Sequence, residues 1–375
     1  MVSWRASVNN GSLTIAHVLT SLSVGGGERV ALLLAQHQAA LGHRVLVASL
    51  EADGEDGLRP EFEEVGATVV GIRKAERGVD PKLWLELWAW AWGERADVVH
   101  THNALPQIYG APAGRAAGAR VIHTEHGRHE SSPKQLRLRQ LTCAPVHRVF
   151  AVSEATADFV RELGLVPDHR LGVVLNGTDV ARFARDESRR ARVRAGWGVP
   201  DEAFVVGTVA RMAAVKNHAL LVRALAPMLG PGCHLVIAGD GDLRATTEAL
   251  VAELGVEDHV HLLGTVRDVP AVMSGLDLFA LSSDSEGLPM VLVEAMSASL
   301  PIVATNVGGV AKVVRQDETG LLVAAGDEQA LRRAVEELRE DRARRDRFAA
   351  RALGVAEAEY SSRRMTDEYL AAYRG

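Results

Sequence analysis

Cysteine is nearly absent: Cys143 and Cys233 are the only two in 375 residues. They fall in what read as different domains, which excludes a disulfide framework and points to a reducing cytoplasm. Lysine is scarce as well. It occurs at positions 74, 82, 134, 216 and 312, against abundant arginine, so each lysine is a rare event whose position carries information. Charge of one sign is lacking too. The net charge is −6 and the pI about 6.2, with no basic excess of the kind a nucleic-acid binder would show. No uninterrupted apolar run approaches the ~20 residues of a membrane span. Residues 1–12 are polar and lack the apolar segment of a secretory leader. The sequence therefore predicts a cytoplasmic protein, or one lying peripherally on the inner face of the membrane. Short repeats and low-complexity tracts are also missing.

What remains is the composition of a globular enzyme, 47% hydrophobic and 24% charged. At ~150 residues per domain the length suggests two domains. Apolar runs without polar alternation recur along the chain, as parallel strands covered on both faces require. In the first half they are 13–19, 44–50, 68–72, 97–101, 120–124, 147–152 and 171–175. In the second half they are 204–209, 234–238, 260–262, 278–281, 302–304 and 321–323. Helical patterns lie between them. The βαβα order predicts two doubly wound parallel sheets, over residues 12–180 and 200–354. The charged, Arg-rich stretch 179–202 is the expected connection, and a C-terminal helix over 355–375 is expected to pack back on the first domain.

Ligands of open α/β sheets bind at the carboxyl ends of the strands. The first such loop reads Gly25-Gly26-Gly27 before a helix, where free N–H groups and the helix dipole suit phosphate. It lacks the G-x-G-x-x-G spacing of dinucleotide sites, which argues against a nicotinamide-dependent dehydrogenase. Thr124-Glu125-His126-Gly127-Arg128-His129 crowds polar groups at another strand end. His123, His126 and His129 are spaced by three, but they sit in a loop with no completing carboxylate or cysteine pattern, so substrate contact is expected and no metal. Arg211 and Lys216 follow the strand at 204–209, where two cations could neutralise a diphosphate.

The sharpest feature is Ser285-Glu286-Gly287-Leu288-Pro289 followed by Glu294. Glu286 is placed at a helix mouth and Glu294 inside an apolar helix. A carboxylate there is costly without a hydrogen-bonding partner, and vicinal sugar hydroxyls would serve.

These residues form an E-x₇-E arrangement, and the chain resembles the retaining glycosyltransferases of family 4, which have the GT-B fold. The resemblance runs from about residue 13 to 373. Its ordered parts are Gly25-Gly26-Gly27-Glu28, Thr124-Glu125-His126-Gly127, Val152-Ser153, Asn176-Gly177, Arg211 with Lys216, Gly239-Asp240-Gly241, Leu263-Gly264 and Glu286 through Glu294. It implies two Rossmann-like domains facing one cleft. It implies that Glu286 touches hydroxyls of the transferred sugar, Glu294 the ribose, and Arg211 and Lys216 the diphosphate. Gly287 and Leu288 would contact sugar and phosphate, and Gly25–Gly27 would reach the diphosphate. His126 would sit by the reaction centre, while Leu263, Gly264, Gly239 and Gly241 would frame the base. It further implies retention of configuration, no bound metal or other cofactor, and a UDP-sugar donor with GDP as the alternative. After Gly308-Gly309-Val310 the family often carries a Glu, where this chain has Lys312.

The acceptor is expected to be a glycan, a lipid-linked molecule or a small molecule, met by His102, Asn103 and Arg128. Trp84, Trp88 and Trp92 share one helical face, which suits either packing on the first sheet or a membrane interface. Lys134, Arg137 and Arg139 form a basic segment for an acidic acceptor, anionic lipid or solvent. Two competing functions are a nucleotide-sugar-binding protein without transfer activity and a sugar-nucleotide epimerase of the same fold.

Overall fold

The computed structural model describes residues 11–23, 25–51, 57–74, 78–128 and 132–375. They form two compact units. One comprises the chain up to Gly177 together with Ser362–Gly375, the other Thr178–Ser361. Thirteen strands form among the described residues, each on an apolar run that predicts it.

Unit 1 holds β1 (Thr14–Leu19), β2 (Arg44–Ser49), β3 (Thr68–Gly71), β4 (Val98–His102), β5 (Arg120–Glu125), β6 (Arg148–Ala151) and β7 (Leu171–Val173). The sheet is parallel throughout, in the order β3-β2-β1-β4-β5-β6-β7. Between the strands run α1 (Gly26–Ala40), α2 (Arg59–Glu64), α3 (Pro81–Gly93), α4 (Ala104–Ala116), α5 (Pro133–Cys143) and α6 (Glu154–Glu162). The strand order reverses between β1 and β4, where open α/β sheets present ligand loops. Side chains alternate across the sheet. Ile15, Val98 and Ile122 pack under Val30 and Leu34 of α1 on one face. Ala16, Val18 and Val99 pack with Leu83, Leu87 and Ala91 of α3 and with Tyr109 of α4 on the other.

Unit 2 begins with α7 (Glu187–Trp197). It holds β8 (Phe204–Val209), α8 (His218–Leu225), β9 (Cys233–Ala238), α9 (Arg244–Glu253), β10 (Val260–Gly264), α10 (Val269–Gly275) and β11 (Leu278–Leu281). α11 (Met290–Ser297), β12 (Ile302–Thr305), α12 (Val310–Val313), β13 (Gly320–Val323), α13 (Glu328–Glu340) and α14 (Arg342–Glu359) complete it. Its parallel sheet runs β10-β9-β8-β11-β12-β13, and the order reverses between β8 and β11.

Two expectations are corrected. The stretch 179–202, expected to connect the two domains, lies within unit 2. It carries α7, whose Arg194 is fully buried, bonded to the carbonyls of Gly275 (2.9 Å) and Ala203 (2.8 Å) and paired with Asp277 (2.6 Å). The single C-terminal helix over 355–375 is two helices. α14 ends at Glu359 in unit 2, and α15 (Ser362–Arg374) belongs to unit 1. The break follows from backbone pairing that a continuous helix could not offer. Tyr360 O accepts from Thr178 N (2.8 Å), and Ser361 bridges Thr178. Both cysteines are buried and free. Among the described residues no helix is long and apolar enough to cross a membrane.

Candidate functional site

In unit 2 the loops after β8 and β11 are stapled together. Ser282 Oγ donates to the carbonyls of Lys216 (3.1 Å) and Asn217 (2.9 Å), and Asp284 N donates to Val215 O (2.9 Å). Asn217 adopts the left-handed conformation (φ 45°), caps α8 through its Oδ1, and donates from Nδ2 to Asp284 (3.0 Å). This fixes Lys216, whose Nζ donates to Glu286 Oε1 at 2.7 Å. Ser283 Oγ donates to the same oxygen at 2.6 Å. The Glu286 side chain is only 8% exposed, and these two bonds satisfy its Oε1. An ammonium has three donors, so Lys216 can hold Glu286 and still serve an anionic ligand.

The loop after β12 braces Glu286 from below. Gly309 N donates to Glu286 O (3.2 Å). A Cβ on Gly308 would lie 1.8 Å from Glu286 O, and one on Gly309 1.8 Å from Gly287 O. No residue but glycine fits, a requirement that sequence reading left unexplained. Thr305 adds a bond from Oγ1 to Ser283 O (2.5 Å). Gly287 is exposed, Leu288 is half-buried, and Pro289 precedes the first turn of α11 without a side-chain cap. Glu294 is half-buried on the same stripe as Met290 and Val291, while Leu292, Val293, Ala295 and Met296 are buried. It is thus neither in the core nor on a freely solvated face.

The loop after β9 lies against the loop after β8. Gly239 has φ 139°, and a Cβ there would sit 2.0 Å from Ala210 O; Gly241 is similarly close to Met212 O (2.6 Å). Met212 N donates to Asp240 O (2.9 Å), and Gly239 N to Gly264 O (2.8 Å). Arg211 is exposed beside this ridge, and Leu263 is half-buried at the end of β10. The structure thus brings Arg211, Lys216, Gly239, Gly241, Leu263, Gly264, Glu286, Gly287, Leu288 and Glu294 to the carboxyl ends of one sheet.

Unit 1 assembles its own cluster. Gly25 precedes α1, whose first turn has no side-chain cap, and a Cβ on Gly26 would meet open space. A Cβ on Gly27 would lie 3.2 Å from the ring of His126. Asn103, with φ 66°, accepts from His126 N through Oδ1 (2.9 Å). His102 is corrected: it is 1% exposed, its Nε2 bonded to His17 Nδ1 (3.0 Å) and its Nδ1 to His126 Nε2 (2.9 Å). It supports His126 and is no surface contact. The strand register explains the cluster, since His17 pairs with His100 and His102 with Thr124, which sets all four on one face. Sequence reading missed His17 and His100 because both lie inside apolar runs.

Other expected residues go elsewhere. Arg128 is exposed, paired with Glu162 (2.9 Å) and over the ring of Phe159 (5.0 Å). Lys134 and Arg137 are exposed, but Arg139 is fully buried and corrects the basic-face reading. It pairs with the equally buried Glu125, which also meets His123 (3.2 Å). Burial opposes the Glu125 carboxylate, yet His123 and Arg139 outweigh it and hold its pKa below the usual range. His129 lies outside the described residues. On α3, Trp84 donates to Ile108 O (3.0 Å) and meets Tyr109, whereas Trp88 and Trp92 stack on each other, 39% and 64% exposed. The helix packs through buried Leu83, Leu87 and Ala91 with Trp84 and Trp90 beside them, while Trp88 and Trp92 stay outside that contact.

Both units are similar to known proteins. Residues 24–182 match the model for Glycosyltransferase Family 4, and residues 189–354 that for Glycosyl transferases group 1. Alpha-D-kanosaminyltransferase of Streptomyces kanamyceticus is 32% identical over 60% of this chain and 60% of its own length, so the match leaves out two fifths of that relative. A mannosyltransferase of Mycobacterium tuberculosis, named as GDP-mannose-dependent and acting on phosphatidylinositol monomannoside, is 32% identical over 72% of each chain. HepE of Anabaena, solved with UDP, superposes with TM-score 0.82 at 23% identity, covering 96% of this chain and 100% of HepE. A glycosyltransferase of Rickettsia africae superposes with TM-score 0.84 at 18% identity, covering 97% and 98%.

Proposed function

This chain belongs to glycosyltransferase family 4 and has the GT-B fold, and we propose that it transfers a hexose-type sugar, with retention, from a nucleoside diphosphate sugar to an acceptor hydroxyl. The observation that carries this reading is the Glu286 carboxylate held by Lys216 and Ser283 in the loop before α11, with half-buried Glu294 about one turn inside that helix.

Glu286 accepts from hydroxyls of the transferred sugar, and Glu294 from the ribose. Arg211, Lys216 and the amides at Gly287 and Leu288 stabilise the charge that grows on the departing diphosphate. The acceptor oxygen bonds to the anomeric carbon on the face the diphosphate leaves. Its proton passes to the leaving phosphate oxygen, so no pair of carboxylates of the glycosidase kind is needed. His126 serves the transferred sugar, and the Gly25–Gly27 turn serves the diphosphate through the N-terminus of α1. The cations are side chains, and the proposed transfer needs no metal. A glycan, lipid-linked or small-molecule hydroxyl is the acceptor, in a cytoplasmic setting. UDP is the favoured nucleotide; the GDP-mannose-dependent relative keeps GDP in the test.

A thermal-shift panel of UDP, GDP, ADP and their sugars, with and without EDTA, tests the donor. A ligand that binds only the folded state raises its melting temperature by mass action. We expect a UDP-sugar to raise it in the presence of EDTA. No shift with any nucleotide sugar would overturn the reading, and a shift abolished by EDTA would overturn its metal independence.

A further inference from the structure

Unit 2 gathers cations at both ends of its sheet, and the donor loops account for only one of them. Asp277 and Pro301 stand immediately before β11 and β12, at the end of the sheet opposite Lys216 and Glu286. A cavity of about 250 Å³ lies there, lined by Arg185, Arg190, Arg342, Arg345 and Ser299, with Asp277 and Asp346. Two arginine-rich segments meet in it, one from 179–202 and one from the start of α14. The charges lining it do not cancel. Asp277 is taken up by Arg190 (2.7 Å), Arg194 (2.6 Å) and Val205 N (2.8 Å). Arg342 meets Asp346 at 3.6 Å and Arg185 meets Glu187 at 2.9 Å, but both carboxylates are largely exposed, and such pairs are worth little. Arg345 has no carboxylate partner among the described residues. Its Nη1 donates to the carbonyls of Leu338 (2.7 Å) and Arg339 (2.9 Å), and its guanidinium lies over the Phe204 ring (5.2 Å), which leaves Nε and Nη2 open. Asp201 and Glu202 line a neighbouring cavity that shares Arg345.

We propose that this arginine-lined cavity binds a small, multiply charged phosphate anion of pyrophosphate size, at a site separate from the donor loops. The volume sets the size. Pockets for drug-sized ligands run to ~300–1,000 Å³, so a nucleotide sugar is too large for this one. The residue type sets the charge and shape. A guanidinium fork matches phosphate oxygens, and Arg342 and Arg345 stand on one face of α14, three positions apart. Ser299 adds a neutral donor. It follows the end of α11 with φ 54°, where glycine is the easier fit, and its hydroxyl has no partner among the described residues. Like charges are crowded here. Burial lowers the pKa of Arg194, Asp277 opposes that, and Arg190 and Arg185 add to the lowering, a repulsion that a bound anion relieves. Such an anion ties α7 to α14 and stabilises unit 2 by mass action. The assignment does not rest on the donor reading above.

The test is calorimetric titration of inorganic pyrophosphate into the full chain. Pyrophosphate also suits a site built for a diphosphate, so the titration is run on Arg211→Met/Lys216→Met, which lacks the donor-side cations. We expect that protein to bind pyrophosphate. Adding Arg342→Glu or Arg185→Glu should weaken binding at least ~10-fold. The Arg342 side chain is 83% exposed, so its replacement leaves the core untouched. In the parent chain, Arg342→Glu should likewise reduce the rise in melting temperature that pyrophosphate gives. No binding to the Arg211→Met/Lys216→Met protein, or binding that both added substitutions leave unchanged, would overturn the proposal. So would retention of the parent protein on phosphatidylglycerol vesicles, lost in Arg342→Glu, with no binding of free pyrophosphate; the arginines would then serve a membrane surface. UDP titration separates the two readings. Arg342→Glu should bind UDP as the parent does. Loss of UDP binding in the parent protein would strike the donor assignment and leave the pyrophosphate result standing.

Discussion

At the residue scale, the geometry around Glu286 turns two glycines into a requirement. Gly309→Ala would place a methyl 1.8 Å from Gly287 O, so the Glu286 loop must move. We expect a large loss of donor affinity together with a lower melting temperature. Gly354 in α14 is the control. A Cβ there meets nothing within 4 Å, and Gly→Ala in a helix interior stabilises by about 1 kcal/mol. Thermal shift with and without nucleotide sugar reads both; equal effects of the two substitutions would contradict the packing argument. Much of this was legible beforehand. Glu286, Lys216 and Arg211 stand out as charges at strand ends, and the scarcity of lysine singles out Lys216. His17, His100 and Arg139 were not legible, because a polar residue inside an apolar run or a basic helix does not reveal which neighbour satisfies it. Only the strand register and the Glu125 side chain supply that information.

At the element scale, the thirteen strands follow from their uninterrupted apolar runs, since parallel strands are covered on both faces. The helices are harder. The packed face of α3 is set by Leu83, Leu87 and Ala91 with Trp84 and Trp90 beside them, so the three tryptophans at 84, 88 and 92 that share a stripe in sequence do not share one environment. α5 is pinned to β5 by the buried Arg139–Glu125 pair. Removing Arg139 leaves the buried Glu125 with His123 as its remaining partner, against a cost of about 3–5 kcal/mol for breaking a buried pair. Arg139→Met should destabilise unit 1 by that order in urea unfolding, while Arg137→Met on the exposed side should change little. If the two variants unfold alike, the pair does not hold α5. The break between α14 and α15 escaped sequence reading because a backbone bridge at Thr178 and Ser361 causes it, and no local residue preference signals that.

At the scale of the whole molecule, each unit buries histidine in neutral form, which couples stability to pH. His17 in unit 1 and His218 in unit 2 are both lowered from 6.5 to about 4 by burial. The unfolded chain binds those protons more tightly, so stability is fully present above pH 6.5 and is lost as pH falls toward 4. At about 1.4 kcal/mol per pKa unit, each histidine accounts for on the order of 3 kcal/mol across that window. Urea unfolding from pH 7 to pH 4.5 should show a steady loss, flattened in His218→Leu; a flat profile in the parent protein would contradict neutral burial. The donor assignment is tested most directly by titrating UDP into the parent protein, Glu294→Ala and Glu286→Ala by calorimetry. Loss of the ribose contact should weaken UDP at least ~10-fold in Glu294→Ala, a change of about 1.4 kcal/mol. Glu286→Ala should bind UDP within a few-fold of the parent, because its partner is the sugar and not the nucleotide. Equal UDP affinity in all three proteins would contradict the roles given to the two carboxylates.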